Sequence, residues 1–350
     1  MNDLTRQQIA LETIKILKRR FDSFPTDSAS SRNAPFHRAF LNAFRDKIDS
    51  AGTSISSFIN LSSWMHGLNT TLGQTFFESA ANCLCEGEKR TFSGNAYFEN
   101  QAIAISEHMT DLKNGERTPS VKEENALLME NAHGEILPAP NFTADCFFED
   151  DEKVVAIEMK TVRPNSGEVR GEKQKILIGK AVLMRLYPKK DVYYYFGFPF
   201  DPLSDTNTGS CKERFMKNIV DYIKFCDSEE VLLADELWSF LSGENGTMQQ
   251  LLDIINAVAT VDFMTKYGIL SDSGSIRAKN KEYQEIAREW GLVDELKIAS
   301  NIAALSALRD KHITRNIAKP AFNENGEYNE KRARALLGAL CVFYHNQFYL

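Results

Sequence analysis

The 350-residue chain has no signal-peptide pattern at its start, Met-Asn-Asp-Leu-Thr-Arg-Gln-Gln, and no apolar run long enough to span a bilayer. Secretion and membrane insertion are therefore not expected, and a cytoplasmic location is. Cysteine is scarce: six residues, at 83, 85, 146, 211, 226 and 341, with no CxxC pair and no zinc spacing. Reduced thiols follow, and a disulfide scaffold is excluded. His312 and His345 lack partners at metal-ligand spacing. No repeat period emerges. Excess positive charge is also missing, since the net charge is −7. Its distribution matters more than its total: residues 153–190 hold ten Lys/Arg against three Glu, leaving −14 elsewhere. A basic centre in an acidic protein suits a phosphate-binding cleft, and equally suits one exposed basic helix.

What is present centres on residues 138–180. Two apolar runs flank Glu149-Asp150-Asp151-Glu152, the pattern of a β-hairpin. If the turn is centred on Asp151 and Glu152, Asp145 falls opposite Glu158, with Cβ atoms about 5 Å apart. Alternation puts Val154, Ala156, Glu158 and Lys160 on one face. Two carboxylates so opposed repel unless a proton or cation lies between them, and a hard divalent metal with oxygen ligands is the natural occupant. Phosphodiester hydrolysis needs charge neutralisation at the phosphate and an activated water, which such a site supplies. Lys160 would hold or help deprotonate that water. The structural alternative is a surface hairpin with a solvated salt bridge. Acidic-x-Lys also occurs at Asp111–Lys113, Asp151–Lys153 and Glu295–Lys297, but only Glu158–Lys160 ends an apolar strand with an acid opposite.

This Asp…Glu-x-Lys arrangement resembles the PD-(D/E)XK nuclease core, with Asn-Phe-Thr-Ala-Asp145 and Pro140 replacing the compact Pro-Asp pair. The stretches Lys160-Thr-Val-Arg-Pro-Asn-Ser-Gly-Glu and Arg170-Gly-Glu-Lys-Gln-Lys-Ile-Leu resemble the TdeIII family of type II restriction endonucleases, over about residues 74–190. The resemblance implies a Mg²⁺-dependent enzyme cutting double-stranded DNA at a short palindrome, GGNCC in that family. It carries Asp145, Glu158 and Lys160 over as catalytic residues. A cognate DNA methyltransferase is implied as a functional partner. In that core a helix before the sheet often adds an acid to the metal site, which makes Glu78, in Gln-Thr-Phe-Phe-Glu78, a third metal ligand beside Asp145 and Glu158. The alternative is a boundary residue reaching to water.

After the hairpin, Arg163-Pro-Asn-Ser-Gly reads as a loop and Glu168–Leu186 as a helix. Its early polar residues Glu172, Lys173 and Gln174 are second-tier active-site candidates, with a solvated face as the alternative. Arg163, Asn165, Arg170 and Lys175 are DNA-binding candidates. Arginine pairs with guanine and Asn with adenine in the major groove, while phosphate contact or plain solvation suits each equally.

The remaining pattern predicts an α/β fold: a mixed central sheet flanked by helices, with additional N- and C-terminal helices. Helical spacing covers residues 4–22, and Phe36, Phe40, Phe44 and Ile48 mark a second helix. Residues 96–106 read as a first strand or a helix, and Val192–Phe200 as a strand buried on both faces. Beyond Ser210, helices are expected at 211–226, 229–241, 247–266, 281–291, 293–310 and 328–348. Three regions follow: an N-terminal helical scaffold (1–68), the nuclease core (69–205) and a helical region packed on it (206–350). A palindromic target favours a homodimer. Rival readings are a nuclease of the same superfamily acting on damaged or branched DNA, and a catalytically inactive DNA-binding protein.

Overall fold

The run preceding Glu158 forms the middle of a sheet. A computed structural model of the protein describes residues 1–25, 41, 45–160 and 166–347. Strand β5 (Lys153–Met159) is buried from Val154 to Met159, on both faces. That accounts for its apolar run Val154–Ile157, since a strand covered on both sides has no solvent face to alternate with. It pairs antiparallel with β4 (Phe142–Glu149) and parallel with β6 (Asp191–Phe198). An edge strand β1 (Glu88–Phe92) lies outside β4, and β7 (Val231–Leu233) outside β6, giving the order β1-β4-β5-β6-β7. A separate two-stranded ribbon joins β2 (Ala96–Phe98) to β3 (Ile136–Pro138).

The hairpin register is the one the sequence predicts. Cys146 faces Ile157 and Glu149 faces Val154, so one step further out Asp145 stands opposite Glu158. Asp150 closes the turn, its Oδ1 accepting the N–H groups of Glu152 and Lys153 at 2.9 and 2.8 Å.

Helices cover both faces of this sheet. Helix Ser166–Leu186 lies on the face of Tyr194, and approaches it closely enough that a Cβ on Gly179 would sit 2.6 Å from the ring. Glycine is required there. Helices Glu78–Cys85 and Asp235–Ser242 cover the opposite face, where Cys85 meets Cys146 and Phe240 packs on Phe148 and Tyr195. The result is a mixed sheet flanked by helices, as expected.

Several expectations change. Residues 96–106 split into β2 and the start of helix Glu99–Asn114. The outer strand of the meander is instead β1, whose sequence Glu-Lys-Arg-Thr-Phe carries too little alternation to be noticed. β7 replaces the start of the expected 229–241 helix; its three residues are all buried and too few to show a period. The 247–266 helix is two helices, Thr247–Val258 and Phe263–Ser271. Strand β6 is buried on one face only along its first half, because Tyr193 is exposed and stacks with Tyr195. Phe36, Phe40 and Phe44 lie outside the described residues; Ile48 is buried in helix Arg45–Ser50.

The chain forms two compact units, divided differently from the three expected regions. One comprises Met1 and Phe77–Leu251, so the segment after residue 205 belongs with the sheet that β7 extends. The other joins Asn2–Phe76 to Leu252–Leu350. In that second unit buried Glu295 accepts hydrogen bonds from Tyr283 (2.6 Å), Tyr328 (2.8 Å) and Arg332 (2.7 Å). Arg332 is therefore spent on a buried ion pair, while its neighbour Arg334 is exposed and pairs with Glu330.

The sheet unit has its own buried ion cluster. Lys173 is fully buried, with Nζ 2.7 Å from Glu124 and 2.6 Å from Glu230. His108 lies 3.3 Å from Glu124, and Lys180 donates to Asn125. Burial alone would lower the Lys173 ammonium, but Glu230 and Glu124 outweigh it and hold the pKa above its ordinary value. Lys173→Met leaves two buried carboxylates without their main counter-ion. It is expected to cost roughly 3–5 kcal/mol, read as a lower urea midpoint. Adding Glu124→Gln and Glu230→Gln should restore part of the loss; an unchanged midpoint in the single variant would contradict this account.

Candidate active centre

Asp145 and Glu158 come from neighbouring strands, and helix Ser166–Leu186 supplies what surrounds them. Glu158 is only 6% exposed at the end of the central strand. Its Oε1 accepts from Lys160 Nζ at 2.9 Å and its Oε2 from Lys175 Nζ at 2.5 Å. Lys160 continues the line of β5, its N–H bonded to Gly197 O at 2.8 Å, and its ammonium also reaches Glu172 at 2.8 Å. The parallel pairing with β6 thus fixes the backbone from which the lysine projects.

Asp145 is held from two sides. Its Oδ2 accepts the N–H of Met159 at 3.0 Å, locking the side chain across the hairpin. Its Oδ1 lies 3.1 Å from Lys89 Nζ, which also bonds Glu78 at 2.7 Å. Asn82, one turn along from Glu78, donates to the backbone oxygens of both Glu78 and Asp145. Helix Glu78–Cys85 is therefore pinned to β4 at the point where its first residue enters the centre.

Electrostatics join the two halves. Burial raises the Glu78 carboxyl, Lys89 partly offsets this, and the charges of Asp145 and Glu158 push it up further. Burial would lower the Lys160 ammonium, but Glu158 and Glu172 prevail and its pKa is raised. Lys160 is thus a cation at neutral pH, suited to donate hydrogen bonds and stabilise negative charge.

The structure brings together Glu78, Asp145, Glu158, Lys160, Glu172 and Lys175. It sends Lys173 elsewhere, into the buried cluster with Glu124 and Glu230, because Lys173 and Lys175 lie about 200° apart around the helix. Gln174 and Arg170 are exposed on that helix. Lys175, expected at DNA, holds Glu158. Arg163 and Asn165 lie outside the described residues. Lys89 and Asn82 escaped the sequence reading. Lys89 sits on an edge strand with no recognisable pattern, where the register also shifts between Glu88 and Arg90.

Among the described residues, no three His, Cys, Asp or Glu side chains form a ready metal cluster. The donor chemistry nonetheless fits a hard divalent ion, since the groups able to ligate one, Glu78, Asp145 and Glu158, are all carboxylates. Lys89 already places a positive charge between Glu78 and Asp145, which is where these acids call for one.

The chain matches the family model described as type II restriction endonuclease, HinfI, over residues 1–259. It belongs to the HinfI family of type II restriction endonucleases. It is also 44% identical, over 353 residues and 95% of each chain, to the type II restriction enzyme MjaII of Methanocaldococcus jannaschii. No solved structure matches. The match supports the expectation of a type II restriction endonuclease and gives HinfI, where residues 74–190 led to the expectation of TdeIII, as the family. Asp145, Glu158 and Lys160 lie together at one end of the paired strands β4 and β5. No helix among the described residues is long and apolar enough to cross a membrane.

Lys89→Met removes the charge that favours ionised Glu78, so the Glu78 pKa should rise further. Carboxyl-carbon NMR titration of the free protein measures this directly. An unaltered or lower value would show that the Lys89 contact does not govern Glu78.

Proposed function

We propose that this restriction endonuclease hydrolyses phosphodiester bonds of double-stranded DNA at a short palindromic site, with Asp145, Glu158 and Lys160 as catalytic residues and Mg²⁺ as cofactor. One observation supports the reading best: the hairpin register sets Asp145 opposite Glu158, while Lys160 is ion-paired to that same glutamate. Asp145 and Glu158 would hold the ion, with Glu78 as a further ligand. When bound, the ion supplies charge neutralisation at the phosphate and Lewis acidity.

The protein's own groups do the rest. Asp145 is oriented by the Met159 N–H, and Glu158 by two lysines. Lys160, kept charged, positions the attacking water by hydrogen bonding and stabilises charge that develops on the phosphoryl oxygens. Glu172 aims Lys160 from the adjoining helix. Lys175 and exposed Arg170 are candidates for phosphate contact, and Lys89 would yield its carboxylates to the cation. Arg163 and Asn165 remain candidates for base contacts. A homodimer matches a two-fold target, and a cognate methyltransferase protects host DNA. GGNCC follows from the TdeIII resemblance and is the first sequence to test.

Asp145→Ala and Lys160→Ala are each expected to lower plasmid cleavage in Mg²⁺ by at least about 100-fold while DNA binding persists. Near wild-type cutting by either variant would sink the assignment. Sequencing the fragment ends reads the target: a shared GGNCC supports the finer resemblance, and another palindrome replaces it. Lys89→Ala should bind Mg²⁺ more tightly than the wild type in calorimetry without DNA, since a competing ammonium is gone. Equal or weaker binding would refute the displacement of Lys89 by the ion.

A further inference from the structure

All six cysteines are free thiols, yet two of them touch. Cys85 ends the helix that begins at Glu78, and Cys146 follows Asp145 on β4. Their Sγ atoms are 3.4 Å apart, and a disulfide closes at about 2.05 Å. We propose that Cys85 and Cys146 form an oxidative modification site, a dithiol that a hydroperoxide converts to a disulfide and that thereby controls the neighbouring active centre.

Two features of the surroundings argue for chemistry rather than packing alone. Cys146 is fully buried and cannot meet an oxidant itself, but Cys85 is only partly covered and lines a cavity of about 370 Å³ with Gly87, Arg90 and Phe147. The cavity is large enough for a small peroxide and has a guanidinium in its wall. The close approach depends on Gly87: a Cβ there would lie 2.9 Å from Cys85 Sγ and 2.8 Å from Phe147 O.

The balance is simple. The Cys85 thiolate attacks one peroxide oxygen, the S–O bond forms, the O–O bond breaks, and the alkoxide leaves with the thiol's proton as an alcohol. Cys146 sulfur then attacks the sulfenic sulfur. The S–S bond forms and hydroxide departs with the Cys146 proton as water. Two thiols lose two electrons and the peroxide gains them.

The consequence for the site follows from Asn82, which lies between Glu78 and Cys85 and bonds Asp145 O. Drawing Cys85 toward β4 by more than an ångström shifts a helix whose other end carries Glu78 and whose middle is tied to Asp145. The cross-link is independent of the proposed function; its effect on cutting rests on that reading.

The test oxidises the purified full chain with hydrogen peroxide, blocks remaining thiols, and maps disulfide-linked peptides by mass. A peptide pair joining Cys85 to Cys146, reversed by dithiothreitol, is expected before any pairing of exposed Cys211 or Cys341. Plasmid cleavage should fall in step with the cross-link and return on reduction, and Cys85→Ser and Cys146→Ala should each lose this sensitivity. Both cysteines remaining alkylatable after oxidation would overturn the site. A complete cross-link with unchanged cutting would overturn its control of the centre. Reduced protein that never cuts DNA would refute the nuclease assignment and leave the mass result standing.

Discussion

A carboxylate at the end of a central strand is the constraint on which the sheet unit depends. Glu158 is nearly buried, and an ionised acid in such a place costs several kcal/mol unless paired. Lys160 meets one oxygen and Lys175 the other, so two lysines from different elements are fixed by one side chain. That requirement orients the strand end, brings helix Ser166–Leu186 across it, and gathers positive charge around it. The same contacts that stabilise the free protein assemble its candidate active centre.

The opposite side of the centre is built with weaker ties. Lys89 reaches Asp145 and Glu78 from an edge strand, and its side chain is half exposed. An edge lysine is a common protection against strand-to-strand association, and here it doubles as the counter-ion of two carboxylates. Glu78 is carried on a short helix whose hold on β4 runs through Asn82. One half of the centre is held by a buried carboxylate and two lysines, the other by a half-exposed lysine and one asparagine.

Much of this was legible in the residues. The hairpin register followed from an acidic turn and side-chain alternation, and it places Asp145 against Glu158 without further information. The strand after the helix was visible from its aromatic run. Short elements were not. β7 has three residues, too few to establish a period, and β1 is a charged edge. Lys173 shows another limit. Its neighbours Glu172 and Lys175 turn to the centre, but a lysine aimed into the protein is recognisable only once Glu124 and Glu230, far along the chain, are seen around it. Division into two units was hidden for a similar reason: the N-terminal helices belong with residues near the other end of the chain.

Helix Ser166–Leu186 serves two masters. Glu172 and Lys175 look one way, Lys173 and Lys180 the other, and each residue turns the direction of view by about 100°. Gaining or losing a single residue among positions 172–180 would swing one group out of place whichever group stayed. Relatives of this chain should therefore vary in the connections around the helix and keep its inner spacing fixed. Recombination that swaps segments between family members has its safe crossover points outside this stretch.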